Sequence, residues 1–179
     1  MVVHRPGLVT DGGAPITLVG TPVVVGDGAP GFSCRLYDPV TWALDPFGLA
    51  DTPADTVRVF SVVPSLDTPV CALQTTRFDA AVAALGVAVA AYTVSVDTPY
   101  AMDRFCRSQA VGSLVNLSDY RPERSFGHAW GVLAAETGEL VRAVFVVDRA
   151  GVVAHAEIVP EIADHPDYDA ALAAVRAAL

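Results

Sequence analysis

Hydrophobic positions change their spacing along this chain, and the change divides it in two. Up to about residue 45, short apolar runs alternate with turn signals. Pro15-Ile16-Thr17-Leu18-Val19-Gly20 and Pro22-Val23-Val24-Val25-Gly26 read as the strands of a hairpin around Gly20-Thr21, and Gly26 to Gly31 reads as a loop. Phe32 to Leu44 offers two more short strands, broken by Asp38-Pro39, and Pro46 to Asp55 is turn-rich. Thr56 to Val63 is a strong apolar strand.

Beyond this strand, helices and strands alternate. The pattern predicts helices over Ala72–Leu85, Pro99–Gln109, Glu123–Trp130 and Asp169–Leu179. It predicts strands over Val87–Val96, Leu114–Leu117, Val141–Val147 and Val152–Ile158, the last two joined by the turn Asp148-Arg149-Ala150-Gly151. Leu172, Val175 and Leu179 share one face of the final helix. Strand-helix-strand succession requires parallel pairing through right-handed crossovers, whereas the late hairpin adds an antiparallel pair. The expected fold is α/β: a mixed central sheet flanked by helices, with an N-terminal β-hairpin. Residues 1–179 form one expected domain, its β extension spanning about 1–45.

Ala80 to Val96 carries no charge and nearly reaches membrane-spanning length. Gly86 interrupts it, however. Ala80 to Leu85 suits a helix with Gly86 as its C-cap, and the β-branched run after the glycine suits a buried strand. Hydrophobic residues make up 53% of the chain and charged residues 17%, which excludes a disordered polypeptide. The net charge of -9 argues against a nucleic-acid surface or an anionic membrane patch. Met1 to Gly7 lacks the apolar core of a signal peptide, and three scattered cysteines do not make a disulfide framework. A cytoplasmic protein with reduced thiols is the expectation, with no cofactor. His4, His128, His155 and His165 lack ligand spacing, so no metal site is expected. Gly26-Asp27-Gly28 lacks the strand-to-helix setting of a nucleotide loop.

Candidate chemistry concentrates at Cys71, where the Thr56–Val63 strand gives way to a helix. Thr68 lies three residues before it and Pro64 seven before. A thiol in the first turn of a helix faces unpaired N–H groups and the positive end of the macrodipole, a setting that favours a thiolate. Taken singly, each residue also has a quieter reading. Cys71 fits an inert core cysteine, Cys106 fits helix packing, Thr68 fits a helix cap, and Arg142 fits a structural ion pair. Cys34 has neither motif nor helix-start setting and reads as structural. No Cys-x-x-Cys occurs, which disfavours a disulfide oxidoreductase.

Pro64-x-x-x-Thr68-x-x-Cys71 resembles the active-site motif of peroxiredoxins. Ser61 to Cys71 is similar to the thiol peroxidase branch in particular. Asp97 to Cys106 resembles the resolving-cysteine helix of that branch, and Leu18-Val19-Gly20 and Gly131-Val132-Leu133 fit as well. The resemblance therefore covers nearly the whole chain. It implies a thioredoxin-like fold and the reduction of hydrogen peroxide and alkyl hydroperoxides. Cys71 would be the peroxidatic thiolate, and Cys106 would resolve its sulfenic acid as an intramolecular disulfide. Thioredoxin would regenerate the dithiol, and the protein would be a homodimer. The arginine partner of the motif maps onto Arg142, Thr68 would orient the peroxide, and Pro64 would shield the thiolate. A peroxide sensor or redox-switched binding protein could use the same cysteine pair.

Acidity alone does not make a thiol a fast peroxidase. Lowering a thiol pKa from roughly 8.5 to about 6 raises the thiolate fraction at about pH 7 by roughly 30-fold. With a Brønsted slope of about 0.4–0.5, lost nucleophilicity removes roughly tenfold of this. Orientation and charge stabilisation by Thr68, Arg142 and the helix N-terminus must therefore supply most of the rate.

Overall fold

The computed structural model describes residues 3–86 and 89–179. The chain opens with an antiparallel pair, β1 (His4–Asp11) and β2 (Ala14–Val19). Asp11 pairs with Ala14, leaving Gly12 and Gly13 as the turn, with φ of 56° and 84°. Two consecutive positive-φ residues match the twist of the strands they join. The N-terminal hairpin thus exists, but not around Gly20-Thr21. Gly20 serves a close approach instead. At φ 110° it lies so near the His128 carbonyl that a Cβ would collide with it. Residues 22–26 form no strand either. Val24 and Val25 are exposed, and the Asp27 carboxylate accepts a hydrogen bond from the Val24 N–H at 3.0 Å.

A second hairpin follows, β3 (Ser33–Tyr37) with β4 (Leu44–Gly48). The Asp38 carboxylate holds its turn by accepting from the Val40 N–H at 2.8 Å and the Thr41 hydroxyl at 2.7 Å. β4 runs through Pro46 into a segment expected to be turn-rich. It can do so because it is an edge strand, and a proline there costs no ladder bond. Next come β5 (Val57–Val62), α1 (Pro69–Ala84), β6 (Val89–Ser95), α2 (Pro99–Gln109), β7 (Val115–Ser118) and α3 (Ser125–Ala129). The chain ends with β8 (Leu133–Ala134), β9 (Ala143–Val147), β10 (Val153–Ile158) and α4 (Tyr168–Ala178). Val87 and Ala88, expected to begin the strand of β6, lie outside the described residues. The flanks of Gly86 separate as predicted into the end of α1 and β6, with the glycine at φ 66°. Among the described residues, no helix is long and apolar enough to cross a membrane.

Seven strands form the central sheet in the order β10-β9-β5-β6-β7-β3-β4. β5, β6 and β7 pair in parallel through the crossovers of α1 and α2, and the other pairs are antiparallel. The mixed sheet is therefore as expected. β5 lies inside the sheet, between β9 and β6, with all six residues buried. Its Val57 and Val59 pack with Phe78 and Val82 of α1 and Ala171 and Val175 of α4. Phe60 and Val62 face the opposite side, where Phe126, Trp130 and Leu18 complete the larger core. β1, β2 and the two-residue β8 form a separate small sheet against that side. Its Leu18 and Val19 pair with Ala134 and Leu133, which joins the two N- and C-terminal segments that fit the peroxiredoxin resemblance.

Candidate active site

α1 begins three residues before the predicted Ala72, because Pro69 occupies its first turn without losing a needed N–H. Cys71 therefore sits inside the first turn, shortly beyond the C-terminal end of β5. The faces of α1 that become buried carry Cys71, Gln74, Thr75, Phe78 and Val82, a helical spacing of mixed chemistry. Opposite, register pairs Val62 of β5 with Ala143 of β9. That places Arg142, one residue earlier, beside the point where β5 ends and the chain turns toward the helix.

The two residues meet. Arg142 Nη2 donates to Cys71 Sγ at 3.3 Å. Its Nη1 donates to Gln74 Oε1 at 2.7 Å, and its Nε donates to the Ile162 carbonyl at 3.0 Å. Gln74 is fixed in turn, since its Nε2 donates to Ser61 Oγ at 2.9 Å and to the Val62 carbonyl at 3.3 Å. Both Cys71 and Arg142 are buried, at 0% and 2% exposure. A buried guanidinium is costly unless its N–H groups are satisfied, and here three different residues satisfy them. The arginine is therefore held in place before any substrate arrives.

Pro64, Thr68 and Arg142 line one cavity of about 280 Å³, together with Ser65, Pro69, Val70, Asp11, Glu139, Ile162 and Ala163. Cys71 lies behind the Arg142 wall rather than on the cavity surface. Thr68 is the N-cap residue of α1, yet its side chain makes no capping bond. Its hydroxyl donates instead to the Ser65 carbonyl at 2.9 Å, which commits the proton and leaves the oxygen lone pairs free to accept. Thr98, at the start of α2, does cap: its Oγ1 accepts from the Ala101 N–H at 3.4 Å.

Asp97 braces the loop between β5 and α1. It accepts from Ser65 Oγ at 2.8 Å, the Leu66 N–H at 2.7 Å and Ser95 Oγ at 2.9 Å. Sequence reasoning places Asp97 in the second cysteine segment and gives no role to Gln74. An amide three residues beyond Cys71, on the same helix face, is the available signal for Gln74. The matching Asp-Thr-Pro runs at 67–69 and 97–99 are the signal for Asp97.

Cys106 stands near the C-terminal end of α2. It shares a small apolar cluster with Cys71, Val63, Leu66, Met102 and Phe105, but both thiols are free. Asn116 of β7 exchanges hydrogen bonds with its sulfur, Nδ2 at 3.1 Å and Oδ1 at 3.3 Å. Burial pushes the Cys106 thiol pKa up, opposed by the Asn116 bond and reinforced by Asp79 and Asp103. Cys34 lies apart in the large core, 4.0 Å from Asp119 Oδ1. Burial first, and the Asp119 charge second, push its pKa far up, which suits an inert thiol. Among the described residues no group of three or more His, Cys, Asp or Glu is placed to hold a metal ion.

A parallel strand-helix core with a thiol at the start of its first long helix and a guanidinium on the sulfur defines a protein of the thioredoxin-like peroxiredoxin type. Residues 25–172 match the Redoxin family, and the chain belongs to it. A thiol peroxidase from Listeria monocytogenes is 43% identical over 164 residues, covering 92% of this chain and 94% of that protein. One from Bacillus subtilis is 43% identical over 169 residues, covering 94% and 96%. Among solved structures, a peroxiredoxin-like protein from Aquifex aeolicus superposes with a TM-score of 0.83 at 36% identity, covering 98% of this chain and 99% of that one.

Proposed function

We propose that this chain is a thiol-dependent peroxidase acting on hydrogen peroxide and alkyl hydroperoxides, with Cys71 as the peroxidatic residue. The observation that carries it is the 3.3 Å contact between Cys71 Sγ and Nη2 of Arg142, a residue that lines one cavity with Thr68. The substrate hydroperoxide donates its O–H to Thr68 Oγ1, which aligns its outer oxygen with the sulfur. The Cys71 thiolate attacks that oxygen. An S–O bond forms as the O–O bond breaks, the sulfur is oxidised to sulfenic acid, and the leaving alkoxide takes up a proton to become an alcohol. Arg142 N–H groups stabilise the negative charge as it moves from sulfur to the leaving oxygen. Pro64 closes one side of the cavity against water.

Cys106 then attacks the sulfenic sulfur, forming the Cys71–Cys106 disulfide and releasing water. Thioredoxin is the proposed reductant: its dithiol returns both cysteines to thiols and leaves as a disulfide. A reducing, cytoplasmic setting belongs to the same proposal, because the cycle needs both thiols restored. The similarity to thiol peroxidases over more than nine-tenths of the chain supports this cycle. A homodimer is also proposed, and exposed Val40, Trp42 and Tyr100 offer apolar surface of the kind subunits cover.

Replacing Cys71 with Ser abolishes peroxide consumption. Replacing Cys106 with Ser permits one turnover per chain and then stalls the thioredoxin-coupled cycle. Both are read by stopped-flow peroxide loss and by mass mapping of the disulfide after one equivalent of peroxide. Steady turnover by the Cys106→Ser variant, or a disulfide to Cys34, would overturn the resolving role.

A further inference from the structure

The cavity that Thr68 lines also carries charge. Asp11 ends β1 and Glu139 lies before Leu140, and both line the cavity. Neither carboxylate takes part in an ion pair or a side-chain hydrogen bond among the described residues. Arg142, the cation of the site, is buried at the base and committed to Cys71, Gln74 and Ile162. The rest of the mouth is largely apolar, built by Pro64, Pro69, Val70, Ile162 and Ala163.

Asp11 is also held there. The Glu161 carboxylate accepts from Thr10 Oγ1 at 2.8 Å and from the N–H groups of Gly12 and Gly13 at 3.0 and 3.2 Å. The Ile162 N–H donates to the Thr10 carbonyl at 2.9 Å. These bonds bracket Asp11 on both sides and fix the hairpin tip beside the segment that holds Arg142.

We propose that Asp11 and Glu139 are specificity-determining residues that select neutral hydroperoxides against anionic ones. The selection rests on the peroxidase function proposed above. A neutral alkyl hydroperoxide meets apolar surface and no repulsion. A substrate bearing a carboxylate must bring it past the carboxylates of Asp11 and Glu139 into an already acidic molecule of net charge -9. At low salt, two like charges at the mouth together lower productive binding roughly tenfold.

The test compares kcat/KM for the para-carboxylate of cumene hydroperoxide with that for its methyl ester, using the intact protein and its thiol reductant. The ester is favoured roughly tenfold at low salt, and the preference shrinks as salt screens it. In Asp11→Asn/Glu139→Gln the preference falls to about twofold or less. In Asp45→Asn/Glu123→Gln, with the same change in net charge at exposed positions elsewhere, it persists. Equal rates for the two substrates in the unaltered protein, a preference that salt does not change, or the same ratio in Asp11→Asn/Glu139→Gln would overturn the selection and leave the peroxidase standing. The salt series needs no variant, so misfolding of the double variant cannot rescue the idea. Failure to consume these two substrates and hydrogen peroxide alike would overturn the peroxidase and the selection together.

Discussion

Arg142 brings three partners together at one guanidinium: the buried Cys71 sulfur, the buried Gln74 amide and the Ile162 carbonyl. A planar fork with five N–H donors can do this, whereas an ammonium on a flexible stem cannot. Arg142→Lys keeps the charge and loses the fork. We expect the first oxidation step to slow about 10²–10³-fold, the usual cost of losing a preorganised donor to a developing anion. Stopped-flow fluorescence or peroxide loss in a single turnover measures it, and a fall of less than threefold would remove Arg142 from the chemistry. Thr68, Cys71 and Pro64 are legible together because they are close in sequence. Arg142 is reached only through the family resemblance and Gln74 not at all, since their pairing joins α1 to the start of β9 and only the fold creates that contact.

Cys71 and Cys106 belong to different helices, α1 and α2, with β6 between them in sequence. Both are buried and both are free. A disulfide requires Cα atoms within about 7 Å and suitably directed side chains, and each thiol is here committed to a different partner, Arg142 or Asn116. Local unwinding around one or both cysteines is therefore expected on oxidation. Amide exchange in 65–75 and 102–112 should lose protection in the oxidised protein; equal protection in both redox states would contradict it. Asp97 and the Arg104–Asp67 contact at 3.5 Å tie the 65–68 loop to the neighbourhood of α2, so these bonds have to give way in such a change. Helices and central strands are readable from their apolar pattern, because helices bury one face and the central strands β5 and β9 bury a continuous apolar run. The first hairpin lies elsewhere than expected for an equally local reason. Gly12-Gly13 and Gly20-Thr21 both look like turns, and only the pairing of Asp11 with Ala14 chooses between them.

Two carboxylates shift on folding with opposite signs. Glu161 is held down to about 2, mainly by the Thr10 hydroxyl and the Gly12 N–H. Its folded pKa lies below its ordinary value, so its contribution is present above about pH 4.5 and is lost as pH falls toward 2. Asp119 is pushed up to about 6 by burial, although the Gly127 and Phe126 N–H groups at 2.9 and 3.1 Å pull the other way. Its folded form holds a proton that the unfolded form has already released. Stability therefore declines as pH rises from about 4 through 6. The decline is at most about 3 kcal/mol, and Asp119→Asn should flatten it. Urea unfolding from about pH 2 to 7 reads both limbs. An unchanged slope in the Asn variant would show that Asp119 does not titrate in this window.

By itself, the sequence determined the alternation of strands and helices and the placement of Cys71 in the first turn of a helix. It also supplied a motif that resembles one known chemistry. These are properties of neighbouring residues, set by backbone propensity, proline and side-chain period. Tertiary structure decided which carbonyls and amides would hold Arg142 against the sulfur, and that Gly20 would lie against the His128 carbonyl. It also decided that Asp11 and Glu139 would share a cavity with Thr68. Those outcomes depend on contacts between residues far apart in the chain, whose cost in loop closure only the completed core can repay.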